Sequence, residues 1–160
     1  MSQVNPNDVT IENGIAIWDL NLTAPIGGTY QGTFKFRCAL TPMQELEADR
    51  DYRELLGKNA EFANTRSENL AYTLSQLRQR VIQGPPFWND GTSRFPGGQI
   101  KDSEILEVVL EASVQAEIKY REQLRDKHKK SIESLKKAIQ RQEHEADVEK
   151  ELAEADAKQS

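Results

Sequence analysis

The sequence predicts an α+β fold: an N-terminal β-hairpin packed on short helices, followed by one long C-terminal helix. Three observations carry this. Between Tyr30 and Leu40, apolar and polar residues alternate with a period of two. Helix-start signals at Thr41 and Thr65 open apolar repeats at helical spacing. From Asp102 to the last residue there is neither proline nor glycine.

The elements follow in chain order. Residues 1–14 are polar, with Asn5-Pro6-Asn7-Asp8 as a turn, and read as an arm. Ile15-Ala16-Ile17-Trp18-Asp19-Leu20-Asn21-Leu22 is β-branched and aromatic, which predicts a strand over about 15–23. Pro25 and Gly27-Gly28 break it. A second strand over about 29–40 places Tyr30, Gly32, Phe34, Phe36, Cys38 and Leu40 on one face, with Gln31, Thr33, Lys35 and Arg37 on the other. A two-stranded hairpin is not stable alone, so its aromatic face needs a cover.

Thr41-Pro42-Met43-Gln44 starts a helix over about 42–56. Thr41 caps, Pro42 suits the first helical position, Gln44 completes a capping box, and Gly57 suits the position after the end. Thr65-Arg66-Ser67-Glu68 repeats the box pattern. Leu70, Leu74, Leu77 and Val81 then predict a helix over about 66–83, which Gly84 and Pro85-Pro86 stop. Residues 84–101 form a Pro- and Gly-rich loop that nevertheless holds Phe87, Trp88 and Phe95. A merely flexible linker needs no aromatic rings. These three are expected to be pinned against the domain or to anchor a partner. The division expected is therefore an arm (1–14), a small α+β domain (15–101) and a long charged helix (102–160).

That last segment is rich in Ala, Glu, Lys, Leu, Gln and Arg, all good helix formers. Its first half is apolar along Ile105, Val109, Ala112, Ala116, Tyr120 and Leu124. Its second half keeps only a narrow stripe of Leu124, His128, Ile132, Leu135, Ile139, Gln142 and Ala146, mostly at spacings of three and four, as in a thin coiled-coil seam.

Composition excludes several function classes. The chain has 160 residues, one cysteine and a net charge of −5, and a mean hydropathy of −0.72. One cysteine allows neither an internal disulfide framework nor a cysteine-rich zinc site. No apolar run is long enough for a membrane helix. Met1–Pro6 has no basic and apolar secretory pattern, so a soluble chain in a reducing compartment is expected. Phosphate-loop, dinucleotide-binding, nucleophile-elbow and zinc-protease motifs are missing. Gly97-Gly98 reads as a turn. Cys38, on the apolar strand face, reads as a small core residue. His128 and His144 lie sixteen positions apart on one helix, too far to share a metal. The carboxylate-rich segment 45–54 reads as a solvated helix with Asp49–Arg53 as an i,i+4 pair. Neither a catalytic residue, a metal nor a cofactor is expected.

The charge is segregated. Residues 1–118 carry a net −6, residues 119–141 a net +6 and residues 143–160 a net −5. The basic block has no interleaved aromatic beyond Tyr120, contains Glu122, Asp126 and Glu133, and precedes an acidic block, all of which argue against nucleic acid. Two such helices set antiparallel or staggered lay each basic block on the other's acidic block.

One resemblance adds to this. Phe34, Phe36 and Arg37, followed by Leu40-Thr41 and Glu45 and then the helix with Asn69-Leu70-Ala71-Tyr72, resemble small accessory proteins of tailed bacteriophages, above all the tail-assembly-chaperone type. The likeness spans about residues 30–83. It implies a non-enzymatic protein that assembles a larger particle and is found in the virion or the host cytoplasm. The long charged helix departs from the chaperone pattern and fits a virion component, such as a capsid decoration or neck–tail protein. A second reading is a coiled-coil homo-oligomer acting as scaffold or adaptor. The expected partners are other copies of the chain or other structural proteins, and not a membrane. The expected contact residues are Phe87, Trp88, Phe95, Leu124, Ile132, Leu135 and Ile139, together with the polar edge of the hairpin.

Overall fold

The computed structural model describes residue 5, residues 8–89, residue 91 and residues 93–159. Its elements are β1 (Thr10–Glu12), β2 (Ile15–Ala24), β3 (Gly28–Arg37), α1 (Pro42–Leu56), a 3-10 helix (Gly57–Phe62), α2 (Thr65–Arg80), β4 (Val81–Gln83) and α3 (Ser103–Gln159). The four strands form one antiparallel sheet in the order β1-β2-β3-β4. The fold is thus α+β, with a sheet and two shorter helices ahead of one long helix.

The hairpin forms as its pattern dictates. Ile15 pairs with Arg37 and Ala24 with Gly28. Ala16, Trp18, Leu20 and Ala24 of β2 and Tyr30, Phe34 and Phe36 of β3 turn to the buried side. The rings of Phe34 and Phe36 stack 5.8 Å apart at 8°, and Trp18 lies 6.0 Å from Phe34. Gly32 occupies the inward position between Tyr30 and Phe34. Its φ is +155°, and a Cβ there would sit 2.4 Å from the Cβ of Pro85. The gap in the aromatic row is where the ring of Pro85 lies down.

Both short strands correct the expected element map. The expected arm at 1–14 contains β1, and Val9 is fully buried; residues 1–4, 6 and 7 lie outside the described part. The missed cue is Asn13-Gly14, a two-residue turn in which both residues have positive φ, 51° and 77°. The helix expected over 66–83 ends at Arg80, because Val81 leaves the helical region and pairs with Phe36. Its N-cap is Asn64 rather than Thr65, the Asn64 side chain accepting from Ser67 N at 2.9 Å. The α1 cap is as expected: Thr41 Oγ1 accepts from Gln44 N while Gln44 Oε1 accepts from Thr41 N.

The cover of the sheet also differs from the expectation. The core joins the strand residues to Leu77 of α2 and to Ile105, Leu106, Val109, Ala112 and Ala116 of α3, and among the described residues it takes none of α1. The charged α1 sits against α2 and buries Ala48 and Asp51. The chain divides into two units between Tyr120 and Arg121, not at the 101/102 boundary. The first eighteen positions of α3 belong to the folded body because they supply its apolar wall.

Candidate interaction surface

The loop after β4 is pinned to the body through its rings. Trp88 is 3% exposed. Its ring meets Phe34 edge-on, 5.1 Å away at 82°, and its backbone carbonyl accepts from Gly97 N at 2.7 Å. Trp88, expected as a contact residue, is packed in the core. Half-buried Phe87 meets Tyr30 edge-on at 5.2 Å. Phe95 lies under two guanidinium groups, Arg78 at 5.4 Å and Arg94 at 5.6 Å from its centroid.

The same arginines close an ion cluster around a buried carboxylate. Asp51 is fully buried and accepts from Arg78 Nη1 at 2.7 Å through both oxygens, with Arg94 3.6 Å away. Arg94 also pairs with Glu54. Two elements and a loop far apart in sequence thereby satisfy one buried carboxylate, which a lone charge in such a place requires. A second carboxylate, Asp102, lies just ahead of α3 and accepts from Ile26 N at 3.0 Å, Gly27 N at 2.6 Å and Tyr30 Oη at 3.0 Å. Burial alone would raise its pKa. The three donors and nearby Lys101 outweigh that and hold it below the ordinary aspartate value. Gly27 is obligatory here, since a Cβ would stand 1.8 Å from Tyr30 Oη.

These groups are spent on structure. Cys38 is buried, and its thiol is pushed up to about 11 by burial and by the charge of Glu117. It is neither exposed nor ionised near neutral pH. Among the described residues, no group of three or more His, Cys, Asp or Glu side chains is placed to hold a metal ion. An open hollow of about 610 Å³, lined by Leu55, Leu56, Phe62, Ala63 and Ser67, holds no ionisable side chain. No helix among the described residues is long and apolar enough to cross a membrane.

The second unit is different. Every described residue from 121 to 159 is exposed and helical. Of the expected contact residues, Leu124, Ile132, Leu135 and Ile139 lie here, and Leu135 is 63% exposed. Ile132, Leu135, Ile139, Gln142 and Ala146 recur at alternating steps of three and four, which keeps them on one stripe of an α-helix. The sequence reading missed Val148 and Leu152, both exposed. At 3.6 residues per turn they fall off that stripe, and a stripe search passes over them. In the body, Met43, Leu46 and Phe62 are further large apolar residues left in solvent.

No protein-family model matches the chain. No curated protein matches it, and no solved structure matches it.

Proposed function

We propose that the protein is a non-enzymatic interaction component in the assembly of a larger particle, and that residues 121–159 are its contact element. One observation carries this reading: a helical stretch of 39 residues that retains large apolar side chains in phase while burying none of them. Soluble chains bury such side chains or use them as interfaces. The polar clusters of the body support the reading from the other side, because Asp51, Asp102 and Cys38 are all occupied in packing. The likeness of residues 30–83 to accessory proteins of tailed bacteriophages favours a virion or its assembly intermediate as the particle, with capsid decoration as one form of that role. The segregated charge of the helix favours a second reading, a homo-oligomeric coiled-coil scaffold.

Chemical crosslinking in the producing cells, read by mass spectrometry, tests the proposal. Intermolecular crosslinks are expected to concentrate on Lys127, Lys129, Lys130, Lys136 and Lys137. Crosslinks confined to the body, or none between chains, would overturn it.

A further inference from the structure

We infer that the partner of the exposed helix is a second copy of this chain, bound antiparallel about a two-fold axis between Gln140 and Arg141; this rests on residues 121–159 being the contact element. Two independent features place the axis there. The first is the seam. Continued in both directions, the three–four stripe runs His128, Ile132, Leu135, Ile139, Gln142, Ala146, Glu149 and Ala153. In an antiparallel pair, each position after a step of three faces one after a step of four. With the axis at 140/141, Ile139 faces Gln142, Leu135 faces Ala146, Ile132 faces the stem of Glu149, and His128 faces Ala153 of the second copy. Each layer sets a larger side chain against a smaller or flexible one.

The second feature is charge. The seam alone permits axes about half a heptad to either side. The net +6 block at 119–141 and the net −5 block at 143–160 favour the 140/141 axis, because their midpoints lie almost symmetrically about it. A parallel pair in register would set +6 on +6 and −5 on −5. A parallel pair offset far enough to match the blocks leaves unpaired ends and adds chains without closing. Only the antiparallel pair both matches the blocks and closes.

The flanking positions bring one attractive and one repulsive contact. Lys136 of one copy comes beside Glu143 of the other, twice by symmetry. Lys129 comes beside Lys150 in the same geometry. The seam is thin, with a glutamine at its centre, so the dimer is weak and salt-sensitive rather than a permanent coiled coil.

The test uses the full chain. Sedimentation at about 50 mM and about 0.5 M salt is expected to show a dimer that loosens as screening rises. Lys136→Glu is expected to weaken dimerisation about tenfold, and Glu143→Lys likewise. The double variant restores it, since the pair is merely reversed. A spin label on Glu151→Cys, with Cys38 buried and slow to react, is expected to report roughly 30–35 Å between labels. A label separation of roughly 10–20 Å, or species that keep lengthening with concentration, overturns the antiparallel arrangement and leaves the contact element standing. A monomer at every concentration overturns the second copy as partner, and the crosslink map then judges the contact element by itself.

Discussion

One helix, α3, is two materials. Over Ser103–Tyr120 it is a wall of the core, with Ile105, Leu106, Val109, Ala112, Ser113 and Ala116 buried. Over residues 121–159 nothing is buried, yet the helix continues without a break. The first stretch is helical because burial rewards it. The second is helical on local terms: no Gly or Pro, good intrinsic formers throughout, and opposite charges at i,i+4 such as Asp126–Lys130, Glu133–Lys137 and Glu154–Lys158. The contrast separates two uses of an apolar residue on a helix. In the body it is a stability element. Beyond Tyr120 it is a surface.

The contrast can be broken most sharply in the core. Phe34→Ala, which empties the centre of the aromatic row, is expected to lower unfolding stability by about 3–5 kcal/mol. Ile139→Ala is expected to change monomer stability by less than about 0.5 kcal/mol. Denaturant melts of the two variants compare them directly, and equal losses would erase the distinction.

Next comes Asp51→Ala. It strands Arg78 and Arg94 beside a fully buried position, and a loss of about 2–3 kcal/mol is expected, below the range for a wholly buried pair because Arg78 keeps some solvent. Thermal melts measure it.

Smaller and confined to acid is the effect of Asp102. Its pKa is lower folded than unfolded. Its contribution is therefore full above the unfolded aspartate value, near about 4, and is lost as pH falls through the folded one. Asp102→Asn should flatten the acid limb of a stability–pH curve taken from neutrality downward. An unchanged limb would show that the carboxylate is not what ties the hairpin loop to the start of α3.

The smallest change is on the surface. Lys150→Glu removes the like-charge contact with Lys129 and is expected to tighten self-association about threefold while leaving the melting temperature of the body unchanged. Sedimentation equilibrium reads the first and calorimetry the second.

Local grammar was legible in the sequence. The period of two fixed the hairpin faces, the Thr41–Gln44 box placed the start of α1, and the lack of Pro and Gly marked α3. What escaped was non-local. Val81-Ile82-Gln83 is too short to announce a strand, and its pairing with Lys35 and Phe36 across the sheet makes it one. Leu77 and Ile105 look equally like parts of amphipathic helices, and nothing in their spacing says that both cover the sheet while α1 does not. Trp88 illustrates the same limit. An aromatic in a Pro-rich loop reads as core or as contact, and the choice was made by Gly97, whose missing side chain leaves room for the indole 2.7 Å from where a Cβ would stand. On the second unit the stripe was legible because a solvated helix has no tertiary context to hide it.

The placement of the sheet's cover has a consequence in time. The aromatic face of β2 and β3 is complete once residue 37 has been made, but its lid at Ile105 through Ala116 lies some seventy residues downstream. At ordinary synthesis rates that is a delay of roughly 3–14 s. Through that interval Trp18, Phe34 and Phe36 lack the α3 part of their cover, with Leu77 and Trp88 joining only part-way along. The nascent chain is thus most vulnerable to mispairing and to chaperone capture while it waits for the first turns of its longest helix.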